Sequence, residues 1–308
     1  MDIVVIISAI VYASILSLLS TGFTLVYLTA KIPNFAHGSF ATIGIYISFT
    51  AVYVLGVNPY LFAPVAFILT GTTALLIYLS VLGLLRKRGA SLISQMISLL
   101  AVEMIISAVL NIYLDYIQFT EGIYSRSLLL RYIDFNCLGL PGILIVSTTV
   151  ALTLILSIHL MLTRTKFGIS MRATVEDSSL AAILGVNINL VTSISWFLTG
   201  GLAGLAGSLM PMWFQGDPQI GYRILVSVFA ASVLGGLSSI YGAILGGYII
   251  GLTEILGTAF LSDVIGTWVT SYRLLIPLLV MCFTLLLMPR GVVGIIESLR
   301  MRRYKLSR

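Results

Sequence analysis

Apolar runs of twenty residues and more, separated by short polar stretches, make up most of this chain. Hydrocarbon about 30 Å thick takes about 20 residues of helix to cross. By that measure the apolar regions fall near 3–30, 35–56, 60–85, 91–113, 138–162, 190–212, 224–260 and 271–288. The seventh region is too long for one span and too rich in glycine for one straight helix. It predicts either two short crossings or one crossing with a re-entrant piece. The pattern as a whole predicts an all-α integral membrane protein of about eight to nine transmembrane helices. No linker or break in composition divides it, so residues 1–308 read as a single transmembrane domain. The first run lacks a preceding basic region and exceeds signal-peptide length, so it reads as a retained span.

One polar stretch does not fit a simple turn. Residues 164–190 lie between two apolar regions, are far longer than a connection requires, and carry their own helical signals. Arg164, Lys166 and Arg172 come first, and Glu176 and Asp177 follow. Ala173, Leu180 and Leu184 recur at spacings that share one helical face. Gly185 and Asn187 then supply a stop. This predicts an amphipathic coupling helix outside the bilayer, with small Ala173, Ala181 and Ala182 entering a cleft and the acidic pair meeting basic groups of a partner. The alternative is a helix lying on lipid headgroups, which the acidic pair disfavours beside an anionic leaflet.

Two membrane-level segments are irregular. Pro33 interrupts a helix and Asn34 is placed to cap the next, so Asn34, Phe35 and Gly38 are candidates for the translocation path. Gly235 and Gly236, followed by Ser238 and Ser239, predict a second break, where free backbone must face protein or a wet cavity. Beyond it, Gly242 with Gly246 and Gly247 with Gly251 have the small-xxx-small spacing of close helix packing, expected here against a partner subunit. Glu103 and Glu254 fall inside apolar regions, where a carboxylate is costly. Each reads either as a pathway group or as a buried, hydrogen-bonded packing group.

Composition sharpens the class: 59% of residues are hydrophobic and 9% charged, against about 25% charged in ordinary soluble domains, and the mean hydropathy is +1.09. The net charge of +6 does not signal nucleic acid, because the basic residues are sorted by side. Thirteen of the seventeen lie at Lys31, at Arg86 to Arg88, at Arg164, Lys166 and Arg172, and from Arg290 to Arg308. The positive-inside rule makes that side, and with it the C-terminus, cytoplasmic. Asp115 to Asp134 and Asp217 to Arg223 fall outside, with Asp115 and Asp134 expected as solvated charge. No G-x-x-x-x-G-K-[ST] loop is present and no metal-ligand cluster surrounds His37 or His159, so no cofactor or metal is expected on this chain.

Four motifs in order carry a family resemblance. They are Asn34-Phe35-Ala36-His37-Gly38, the run from Arg172 to Asp177 with Ala181, Leu184, Gly185 and Val186, the run from Leu234 to Gly247, and Met288-Pro289-Arg290-Gly291. Together they resemble the membrane permease of branched-chain amino acid ABC importers, the LivH type. The resemblance covers nearly the whole chain, although Ser238 and Tyr241 stand where the family often has Gly and Pro. It implies a permease with no catalytic residue, a second related permease beside it, two cytosolic ATP-binding subunits that bind the ATP, and an external substrate-binding protein. Relatives of the broader family handle urea, short amides or sugars. From the residues alone, a different class remains open: an ion-coupled secondary transporter using Glu103 and Glu254.

Overall fold

The computed structural model describes residues 2–137, 139–288 and 291–294. Pro289 and Arg290 of the terminal motif, and the basic cluster from Arg300 to Arg308, lie outside the described residues. Within them the regular secondary structure is helix apart from a short β-hairpin, β1 (Asn136–Cys137) with β2 (Leu140–Pro141), and irregular connections join the elements. Among the described residues seven helices are long and apolar enough to cross a membrane, and the chain is an all-α integral membrane protein.

The order is α1 (Ile3–Ala30), α2 (His37–Tyr53), α3 (Pro59–Ile77), a π turn (Tyr78–Leu82) leading into α4 (Gly83–Lys87), and α5 (Leu92–Glu121). Then come α6 (Gly142–Arg164), α7 (Lys166–Glu176), α8 (Ser178–Ile183), α9 (Ile188–Leu209), α10 (Ile220–Gly235), α11 (Ile240–Ile265) and α12 (Leu275–Leu287). The long seventh region resolves into α10 and α11. α5 runs past the predicted limit at residue 113, because no helix breaker occurs until Gly122, which takes φ +66° as the C-cap in the left-handed region that glycine adopts freely.

Contacts divide the chain into two compact units, Met1–Thr24 with Val226–Arg308, and Leu25–Leu225. In the second unit, α9 packs against both α2 and α3. Small residues allow the approach: a side chain at Gly44 would collide with the Gly204 backbone, and one at Gly207 with the Ala41 backbone. Such contacts replace the hydrophobic drive that helices lack in lipid. The connection between α5 and α6 is folded onto this unit. Leu128 and Gly216 exchange backbone hydrogen bonds of 3.0 and 2.8 Å, and the Arg131 guanidinium lies 3.9 Å from the Trp213 ring centroid. Asp134, expected as solvated charge, instead accepts from the Tyr60 hydroxyl at 2.6 Å and from the Ile143 N–H at 3.1 Å. It thereby satisfies a free donor at the start of α6.

In the first unit α11 carries two glycine faces. Gly242 and Gly246 meet the backbone of Gly235 and Ala231 on α10, whereas Gly247 and Gly251 meet Ser17 and Ala13 on α1. The sequence spacing predicted contact with a partner subunit, but these glycines are occupied inside the chain, since both faces of the stripe already hold a helix. The break between α10 and α11 is correspondingly closed. Gly236, at φ +100°, donates to Ser232 O at 3.0 Å, and the Ser239 hydroxyl caps α11 by accepting from Gly242 N at 3.2 Å. Gly235 and Gly236 are buried in this turn, so the expected free backbone is satisfied locally.

Candidate functional site

Residues 164–190 form two short helices rather than one. Thr165 caps α7 by accepting from Gly168 N at 3.2 Å, and Gly168, Met171 and Thr174 are buried. The helix then stops at Asp177, whose Oδ1 accepts from Ser179 N at 2.8 Å and Leu180 N at 3.0 Å. Aspartate makes a good N-cap because its carboxylate satisfies donors that the helix leaves free. Asp177 therefore starts α8, and Ala173 does not share a helix with Leu180 and Leu184 as the spacing suggested. Gly185 takes φ +86° after α8, and Asn187, expected as part of the stop, caps α9 by accepting from Leu190 N at 3.0 Å.

The resulting corner has a definite chemistry. Ala181 is buried, while Leu180, Ile183 and Leu184 are 54%, 82% and 74% exposed. Arg172 and Glu176 are exposed on α7, and Ala173 is half-buried. Beneath them, the Lys31 ammonium reaches Val175 O at 3.5 Å. An apolar tip on an otherwise charged segment is a contact surface; the sequence reading missed Ile183, which stands at i+3 from Leu180.

Glu254 is engaged in a different way from that expected of a pathway group. It is fully buried on α11. Its carboxylate accepts from the Tyr12 hydroxyl at 3.0 and 3.1 Å and from Arg273 Nε at 2.6 Å. The Arg273 guanidinium also sits 4.4 Å from the centroid of the Tyr12 ring. Burial works against the guanidinium's charge, but Tyr12 and Glu254 outweigh it and hold Arg273 above its ordinary pKa. Glu254 is thus an ion-pair anchor joining α1, α11 and the turn before α12. Arg273 stands at the start of the next apolar region, 19 residues on from Glu254, so spacing gave no reason to pair the two.

A cavity of about 490 Å³ with mixed polar and apolar walls lies between α2, α5 and the start of α10, within the second unit. Ser39 and Thr42 of α2, Glu103, Ser107 and Leu110 of α5, and Pro218, Gln219, Tyr222 and Arg223 line it. Arg223 forms an ion pair with Asp217, which also accepts from Gln219 N at 2.9 Å. Gly38 is not a lining residue. It abuts Gly221, where either side chain would strike the other's backbone, and this approach brings α10 against α2. Asn34 is buried, and its Oδ1 accepts from Ala36 N at 3.1 Å, forming a turn two residues before the N-cap of α2, which is Ala36 and not Asn34. Phe35 is half-buried beside it. The 34–38 segment therefore positions the cavity, while its neighbours Ser39 and Thr42 line it. Glu103 and Ser107, four residues apart on one face of an apolar helix, were the signal visible in the sequence.

Comparison with known proteins agrees with this architecture. The branched-chain amino acid transport system / permease component family matches residues 5–285. A probable branched-chain amino acid transport permease protein LivH from Methanocaldococcus jannaschii is 40% identical over 287 residues, 93% of this chain and 91% of that protein. The high-affinity branched-chain amino acid transport system permease proteins LivH of Salmonella typhimurium and Escherichia coli K12 are 31% and 27% identical, each over 90% of this chain and 91% of theirs. With the helical membrane architecture and the sequence in agreement across nearly its whole length, the chain belongs to the branched-chain amino acid transport system permease family.

Proposed function

We propose that this chain is the membrane-spanning permease subunit of a prokaryotic ABC importer that carries branched-chain amino acids into the cell. A second related permease completes the pathway, two cytosolic ATP-binding subunits hydrolyse ATP, and an external binding protein delivers substrate. The observation that carries the reading is the exposed apolar corner of Leu180, Ile183 and Leu184, held by capped helices between two membrane helices of a family permease. Such a corner suits a cleft on an ATPase, and access switches when the ATPases move it between two positions. The ion pair of Glu254 removes one of the two carboxylates on which ion-coupled transport would have relied.

Burying a leucine or isoleucine side chain is worth about 1.5–3 kcal/mol, which corresponds to roughly ten- to a hundredfold in affinity. Ile183→Asp and Leu184→Asp should therefore lower the amount of ATPase co-purifying with the permease at least tenfold, while membrane insertion persists. The chain alone should be inert in vesicles, and the assembled importer should take up leucine only with ATP and loaded binding protein. Full retention of the ATPase by both variants, or uptake by the chain alone, rules the coupling role out.

The sidedness of the basic residues sets the orientation, with a cytoplasmic C-terminus in a multi-pass cell-membrane protein. Lys87→Cys and Lys166→Cys should react with an impermeant thiol reagent only from the cytosolic face, and Glu121→Cys and Tyr132→Cys only from outside. External labelling at Lys166→Cys would reverse the orientation.

A further inference from the structure

Glu103 differs from Glu254 in one respect that matters. It lies eleven residues beyond Leu92, the first residue of α5. At 1.5 Å per residue that is about 17 Å along the helix, near the middle of a bilayer core about 30 Å thick. A carboxylate at that depth is expensive to keep and normally faces a partner or a wet cavity. Among the described residues Glu103 makes no hydrogen bond and no ion pair, and it lines the cavity.

The other walls show what kind of ligand suits it. Ser39, Thr42 and Ser107 bring hydroxyl groups that both donate and accept. Arg223 uses Nη2 on Asp217, which leaves further N–H groups of its five-donor fork for another carboxylate. Leu110, Pro218 and Tyr222 supply apolar wall. The volume falls within the roughly 300–1,000 Å³ typical of small-molecule sites. A neutral amide or sugar would leave the Glu103 charge uncompensated. A zwitterion offers an ammonium to Glu103 and a carboxylate to the N–H groups of Arg223 that Asp217 leaves free.

We propose that this cavity is a substrate subsite for an α-amino acid, in which Glu103 binds the α-ammonium, Arg223 the α-carboxylate, and Leu110, Pro218 and Tyr222 the aliphatic side chain. The inference rests on the reading of the chain as an amino acid permease and adds to it the residues that recognise the head group. Under the orientation above, α5 runs outward from Leu92, and Pro218 to Arg223 lie on the outer side.

The test uses the assembled importer in liposomes with Cys137 and Cys282 replaced by serine and with Ser107→Cys as a reporter. The rate of its reaction with a small thiol reagent is measured with leucine, with 4-methylpentanoate, which lacks the ammonium, and with isoamylamine, which lacks the carboxylate. Leucine should slow labelling at least fivefold and the two analogues should not. Protection should vanish when Glu103→Gln is added. Equal protection by leucine and 4-methylpentanoate overturns the assignment of Glu103, as does protection that survives Glu103→Gln. Independently, Glu103→Gln should cut leucine uptake at least tenfold at unchanged assembly, with Glu103→Asp retaining part of it. If Glu103→Gln does not assemble, the labelling pattern with Glu103 intact decides the matter. An importer that carries no leucine at all defeats the transport reading; one that carries leucine equally well with Glu103→Gln defeats only the subsite.

Discussion

Replacing Arg273 by methionine should destabilise the protein far more than replacing its partner Glu254 by glutamine. The two ends of the pair are unequally placed: the Glu254 side chain has no solvent exposure, whereas Arg273 keeps 32%. Arg273→Met strands a buried carboxylate with only the Tyr12 hydroxyl as donor, and removing one partner of a buried pair costs about 3–5 kcal/mol. Glu254→Gln keeps an acceptor for Tyr12 and leaves a guanidinium that can turn to water, so its loss should be closer to about 1–2 kcal/mol. Combining Glu254→Met with Arg273→Met should recover much of the stability lost in Arg273→Met alone, because a matched apolar pair avoids burying any charge. Melting of the purified, detergent-solubilised permease reads all three. Equal losses for the two single variants would show that the pair is solvated and that its geometry matters little.

Gly247→Leu is the second large effect expected. A side chain there starts inside the Ser17 backbone of α1 and lies 2.6 Å from Ser20 Oγ. Backbone cannot rotate away as a flexible side chain can, so α1 must move off α11. Overpacking a tight core costs about 1–3 kcal/mol and occasionally more; separating two helices along their seam places this variant at about 3 kcal/mol or above. The control is on the same helix: at Gly257 the nearest atom to an added Cβ is the tip of Ile276, at 3.3 Å, and Gly257→Ala should fold normally. Monodisperse folded protein after mild heating distinguishes them. Because α1 and α11 belong to one chain, the defect should appear in this chain expressed alone. A defect seen only when other subunits are present would return the glycine stripe to a subunit contact.

The membrane architecture was legible because lipid leaves few options: each apolar run must close its own backbone hydrogen bonds as helix. Irregular points announced themselves through Pro33, Gly236 and Gly185. What spacing does not encode is the identity of the neighbouring element. Gly242 to Gly251 marked a close approach correctly in kind, yet nothing in their order said that the approaching helices were α10 and α1. Glu254 and Arg273 are nineteen residues apart, and their meeting depends on how the turn before α12 folds back. In residues 164–190, a helical period from Ala173 through Leu184 concealed a break at Asp177, because an aspartate in the middle of such a period is equally able to start a helix. The cavity was half visible: Glu103 and Ser107 stand out in an apolar helix, whereas Ser39, Thr42 and Arg223 acquire meaning only once Gly38 and Gly221 bring their helices together.

The short helices α2 and α10 have a bearing on the surrounding lipid. At 17 and 16 residues they are about 24–26 Å long by helical rise, less than the usual hydrocarbon thickness of about 30 Å. Most of their residues are buried by protein, so the acyl chains have little of either helix to match. Thickness matching falls instead to helices such as α5 and α6, with 30 and 23 residues, whose apolar windows are only 22% buried. Hydrophobic mismatch is accommodated by tilt at a modest cost per ångström. Thicker or thinner bilayers should therefore tilt the periphery first, and α5 carries the Glu103 wall of the cavity with it.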